Sequence, residues 1–190
     1  MKDSKKNMKQ PWKEWNPGLD NGNMTLREVQ KTLPGNPAQE ISALVRLFEN
    51  PKSPIALTGA VNLERHDCIH IVLGRGLLNQ DEAFVIGFTM GTSKDLSEME
   101  AAIFKSVAKY LYPKNYKFGK TDLLAYELGL ETGRKSITEK IYEFPFEDHW
   151  DWNLNDLRKL LNIDVPALKA IYRKEKEIIP GTRASKRIPY

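Results

Sequence analysis

At 190 residues the chain is long enough for one globular domain, by the usual measure of roughly 100–200 residues each. Its 41% hydrophobic and 28% charged residues can bury a core, and its single cysteine, Cys68, excludes an intrachain disulfide framework. The net charge of +4 is uneven: residues 1–20 carry +2 and 173–190 carry +4, which leaves −2 for the body and no basic face there for nucleic acid.

Residues 1–23 read as a flexible polar lead-in punctuated by Pro11, Pro17 and Gly18, with Trp12 and Trp15 expected to pack back on the body. The Lys-rich first ten residues have no apolar run behind them, so no secretory signal is expected. Asp3 and the lack of Arg also argue against a mitochondrial transit peptide. Met24–Leu33 predicts a short helix opened by Thr25 and broken by Pro34-Gly35-Asn36-Pro37. Gln39–Phe48 carries Ile41, Leu44, Val45 and Phe48 at helical spacing. Glu64–Leu73 reads as a helix stopped by Gly74 and Gly76, and Asp81–Met90 as an apolar, largely buried one.

Ser97–Tyr112 predicts an amphipathic helix with Met99, Ile103, Val107 and Tyr110 on one stripe, capped by Ser97 with Glu100 and ended by Pro113. Thr121–Arg134 follows, capped by Thr121 or Asp122. Tyr142–Trp152 is aromatic and acidic, Asn155–Leu161 and Pro166–Lys176 are the last helices, and 177–190 reads as a basic tail. No alternating strand run is present, and no apolar run approaches the ~18 residues of a membrane span. The expected fold is an all-α, single-domain helical bundle over 24–176, with a metal site between two adjacent helices.

Two of the three histidines fall in His66-Asp67-Cys68-Ile69-His70. At ~100° per residue, His66 and His70 lie ~40° apart with Asp67 ~60° from His70, so all three share one arc of a helix. Imidazoles at i, i+4 beside a carboxylate form a metal-binding face. Glu82, at the start of the next helix beyond the Gly74–Gln80 turn, can face them from an antiparallel neighbour. A hydrogen-bonded structural His–Asp couple is the plain alternative. A zinc-protease reading needs Glu after the first His, where Asp67 stands instead; the shorter side chain suits a ligand better than a base.

The spacing H-D-x-x-H, eleven residues, E resembles the signature of the ubiquinone (coenzyme Q) biosynthesis family usually called Coq-four. It stands here as His66, Asp67, His70 and Glu82. His70-Ile-Val-Leu-Gly-Arg-Gly is similar to the family's H-V-L-T-G-Y-G. Ala125–Gly129 with Arg134 resembles its G-x-x-x-G/A helix, and Trp152–Ile163 its closing W-x-x-x-L-x-x-L-R-x-x-L-x-I. The likeness spans about Glu40 to Ile163. Cys68-Ile69 and Arg65 depart from the bulky and aromatic residues common at those places.

The resemblance implies a divalent metal held by His66, Asp67, His70 and Glu82: zinc, with iron, manganese or cobalt also suited to two imidazoles and two carboxylates. It further implies a polyprenylated hydroxybenzoate-type ring as substrate and oxidative decarboxylation at ring carbon C1, a lyase-type activity. Assembly with other ubiquinone-biosynthesis proteins, a homodimer and a peripheral place on the cytoplasmic face of a bacterial inner membrane belong to the same expectation. The basic ends suit an anionic membrane surface. The rival readings are a lipid-binding scaffold with a structural metal and a metal-dependent hydrolase of a soluble substrate.

Other residues have simpler expectations. Cys68 faces ~160° away from His70 and reads as a small buried hydrophobe. His149 reads as a structural or surface histidine, Asp81 as a helix cap, and Arg75 as either a substrate anchor or a helix-end charge.

Overall fold

The computed structural model describes residues 11–34, 58–59, 61–111 and 117–189. The expected helix Gln39–Phe48 and the first ten residues lie outside them. Among the described residues the chain is all-α, with eight helices and no strand. We number them α1 (Leu26–Gln30), α2 (Leu63–Leu73), α3 (Asn79–Gly91), α4 (Glu98–Ser106), α5 (Lys120–Lys135), α6 (Leu154–Leu160), α7 (Val165–Ile178) and α8 (Arg183–Arg187). A π-helical turn, Val107–Leu111, prolongs α4. Short 3-10 turns, Ile141–Glu143 and Phe146–Asp148, form the aromatic, acidic connection before α6.

Local chemistry sets most helix ends. The Thr25 hydroxyl accepts the Glu28 N–H while Glu28 accepts that of Thr25, so both first-turn donors are satisfied. Ser97 takes the Glu100 N–H, but the Glu100 carboxylate turns away to accept the Thr58 N–H at 2.6 Å. Helix α5 starts one residue before Thr121: its cap is Gly119, whose N–H the Asp122 carboxylate accepts at 2.8 Å. Asp122 therefore caps from inside the first turn, where its charge favours the positive helix end.

Helices α3 and α5 form the centre of the core. Gly87 and Gly91 on one meet Gly129 and Gly133 on the other. A Cβ on Gly129 would collide with the Phe84 carbonyl oxygen, and one on Gly87 with that of Tyr126. Glycines four residues apart thus let the two backbones touch along one groove. Phe84, Phe88 and Tyr126 fill the flanks. Helix α4 joins through Ala101, Phe104 and Ala108, with Phe104 stacked on Tyr126 at 5.1 Å between ring centroids. Its expected apolar stripe points the other way: Met99 and Tyr110 are 74% and 62% exposed, and only Val107 is buried. The small alanines allow a closer approach than the larger side chains on that stripe.

Both ends of the described chain pack on this core. Trp12, Trp15 and Leu19 are buried, and the Trp15 indole donates to the Thr32 hydroxyl at 2.9 Å. The stretch expected as a basic tail carries α8 and buries Ile179, Ala184 and Ile188. Arg183 and Arg187 pair with Glu14. Charge counted along the sequence does not reveal that these cations are held by the opposite end of the chain.

Candidate metal centre

The ligand helix α2 begins at Asn62, whose side chain accepts the Arg65 N–H, and ends at Gly74 in the left-handed region at φ 67°. A side chain there would be strained and would also strike the Gly18 backbone. The last carbonyls of α2 are all taken. Buried Arg158 donates to Val72 at 2.9 Å and Ile71 at 3.3 Å, and the Tyr172 hydroxyl donates to Leu73 at 2.6 Å. Arg75 clamps the turn that follows. It forms two bonds of 2.8 Å to Glu175 and lies 3.2 Å from Asp81, which accepts the Leu78 N–H that opens α3. Arg75 is therefore a buried structural cation over the faces of the neighbouring Phe84 and Tyr172 rings, held by Glu175 and Asp81, which is neither the expected substrate anchor nor a charge on the end of α2.

This frame sets three donor groups against one another. His70 Nε2 lies 3.3 Å and His66 Nε2 3.6 Å from Glu82 Oε2. The imidazoles stand edge to face, 4.7 Å apart at 76°. One ligand atom from each of His66, His70 and Glu82 falls within 4.8 Å of the others, so the group is able to hold a metal ion between α2 and α3. His70 is fully buried, while the Glu82 side chain keeps 28% of its surface exposed, giving the group an open side.

The electrostatics fit a cation. Burial, aided by His70, holds His66 down at about 4, so its imidazole is neutral and its Nε2 has a lone pair to give. That nitrogen is buried with no hydrogen-bond partner, an expensive state that coordination would relieve. Burial works against a charged His70, but Glu82, Asp67 and Asp81 outweigh it and raise its pKa. For Glu82 the penalty of burial is outweighed by the two histidines, which keep its carboxyl below the usual range. Two imidazoles and a carboxylate with an accessible side form the donor set of an open, three-ligand zinc site.

Asp67 is not in this group. It follows His66 by one residue, ~100° around the helix, and is not among the residues whose ligand atoms converge. It acts at longer range: burial pushes its carboxyl up to about 6, and its charge helps raise His70. Cys68 is fully buried, and burial pushes its thiol up, as expected of an inert hydrophobe. His149 is not in the group; its Nδ1 lies 2.9 Å from the Pro145 carbonyl and its ring packs against Phe144 and Trp152.

Sequence reasoning missed Arg158, Glu175 and Gln80, which hold the ligand helices. A mid-helix Arg and Glu give no local signal, since their partners lie 86 and 100 residues away. No family model, curated protein or solved structure matches the chain. No helix among the described residues is long and apolar enough to cross a membrane.

Proposed function

We propose that the chain is a metal-binding protein of ubiquinone biosynthesis that acts on a polyprenylated hydroxybenzoate-type ring. The observation that carries the reading is the convergence of His66, His70 and Glu82, three of the four residues of the H-D-x-x-H-(eleven)-E spacing, from two helices onto one point. A divalent ion held there, zinc foremost, supplies Lewis acidity that can orient and polarise a ring carboxylate.

The chain's own groups have separate tasks in this account. His66, held neutral, and Glu82, held ionised, offer lone pairs at neutral pH without a prior deprotonation. Asp67 adds negative charge beside the site and favours a cation there. The open side at Glu82 is where the ring carboxylate enters. The reaction proposed breaks the bond from ring carbon C1 to that carboxylate, releases carbon dioxide and places a hydroxyl on C1, balanced overall as ArCO2H + O2 + H2O → ArOH + CO2 + H2O2, with dioxygen taking up the two electrons. Peripheral contact with a membrane and with other proteins of the same route belongs to this proposal too.

The test is release of labelled carbon dioxide from a carboxyl-labelled polyprenyl hydroxybenzoate by metal-loaded protein in air. Wild type should release it and His70→Ala should not. Tight binding of the ring lipid without release would make the protein a scaffold. A hydrolase of a soluble substrate is the second reading, favoured by the two-His, one-Glu donor set with its open side. It predicts metal-dependent ester or amide cleavage and no affinity for polyprenyl lipid.

A further inference from the structure

Glu82 enters the metal group from the first turn of α3, where a helix has the fewest backbone bonds to hold it. Its N–H donates to the carbonyl of Leu78, the residue that caps the helix and whose side chain offers no polar atom. The place of the Glu82 carboxylate is therefore set by what fixes its two predecessors, Gln80 and Asp81, both of them buried.

Both ends of the Gln80 amide are engaged. Nε2 donates to Glu175 Oε1 at 2.6 Å and to Ser185 Oγ at 3.1 Å, and Oε1 accepts the Thr182 hydroxyl at 2.7 Å. Thr182 also caps α8 by accepting the Ser185 N–H at 3.1 Å, and Ser185 passes its own proton to the Ile179 carbonyl at 2.6 Å. Two hydroxyls 102 and 105 residues further along the chain thus hold the residue two positions before Glu82.

The same helix reaches the turn between α2 and α3 by a second route. Arg187 donates to the Lys13 carbonyl at 2.5 Å and pairs with Glu14 at 3.2 Å. It thereby holds the segment whose Trp15 carbonyl lies so close to Gly76 that a Cβ there would come within 2.6 Å of it. That Cβ would also lie 3.1 Å from the Asp81 carboxylate. Both ends of the described chain therefore bear on the turn that joins the ligand helices.

We propose that Thr182 and Ser185 are positioning residues for the metal centre: through Gln80 they fix the first turn of α3, and with it Glu82. The inference rests on the metal reading of His66, His70 and Glu82 and adds to it a regulation of that site by the C-terminal helix. Such coupling is reciprocal. A metal that needs Glu82 in place makes undocking of α8 harder, and undocking of α8 weakens metal binding by the same factor. A purely structural role has no such reciprocity, since the hydroxyls would then stabilise the fold equally with and without metal.

The test uses the full chain with zinc as the probe. The Ser185, Lys186 and Ile188 amides are bonded within α8 and report its opening by hydrogen exchange. In wild type their exchange should slow by about tenfold on zinc loading, relative to chelator-treated protein, in line with what outer-shell partners contribute to metal affinity. Thr182→Val removes the hydroxyl at constant shape and should weaken zinc binding by about tenfold in chelator competition. Thr182→Ser keeps the hydroxyl and should stay within about twofold of wild type. Exchange in α8 that is indifferent to zinc overturns the inference, as does wild-type affinity in Thr182→Val or an equal loss in Thr182→Ser. Failure of the metal reading is seen separately, as wild-type protein without stoichiometric zinc, and it removes this inference as well.

Discussion

His70 Nε2 faces Glu82 Oε2 across 3.3 Å, joining two helices through residues twelve positions apart in sequence. His66 stands within 3.6 Å of the same oxygen. Two imidazoles converging on one carboxylate oxygen, in a frame held by buried Arg75 and Arg158, form a group that could hold a cation. The metal ligands should therefore be separable from their neighbours. Glu82→Gln should weaken zinc binding by at least about tenfold, measured by competition with a chromogenic chelator, because it removes the anionic donor. Asp67→Asn should retain one zinc per chain, since Asp67 lies outside the group. Equal losses in both variants would make Asp67 a ligand.

The metal-free protein should show two opposed proton linkages. His66 titrates at about 4 in the folded chain, below its ordinary 6.5, so the unfolded chain takes up that proton first. Its contribution to stability is full above pH 6.5 and is lost as pH falls toward 4. Asp67, raised from 3.8 to about 6, contributes below pH 3.8 and loses that contribution as pH rises through 6. The two act in opposite directions in wild type. Removing the acid with Asp67→Asn should expose the His66 slope, making stability rise from pH 4 to 6.5 by about 2 kcal/mol more than in wild type. Urea unfolding of chelator-treated protein across this range measures it; parallel curves would contradict the assignment.

The buried pair Arg75–Glu175 should behave as a unit. Glu175→Ala leaves a guanidinium buried without its main partner and should cost about 3–5 kcal/mol in denaturant unfolding. The double replacement Arg75→Met with Glu175→Leu should recover only part of that loss: it strands neither member of the pair, but it takes from buried Asp81 the cation 3.2 Å away.

Glycine tolerance should divide sharply by location. Gly129→Ala drives a methyl into the Phe84 carbonyl and should lower stability by about 3 kcal/mol or more. Gly18→Ala, at φ 65° with no atom within 4 Å of the added methyl, should cost only about 1 kcal/mol of backbone strain. Thermal unfolding of the two variants side by side distinguishes them.

Local signals in the sequence proved readable. Thr25, Ser97 and Gly74 act where their capping and turn chemistry places them, and the H-x-x-x-H spacing with Glu82 beyond the turn brings three donors together. Asp67 shares the helical arc of the two histidines but is not among the three residues whose ligand atoms lie within 4.8 Å of one another. The Met99–Tyr110 stripe was misread because apolarity does not say which face of a helix a neighbour approaches; Ala101 and Ala108 decided that. Arg158 and Glu175 acquire meaning only from partners supplied by folding.

The most direct test of the account is metal content. Protein purified without added chelator, dialysed against zinc and analysed by plasma mass spectrometry should carry one zinc per chain, and His66→Ala with His70→Ala should carry none while still folding by circular dichroism. Full occupancy in the double variant, or a wild-type chain that never retains metal, would contradict it.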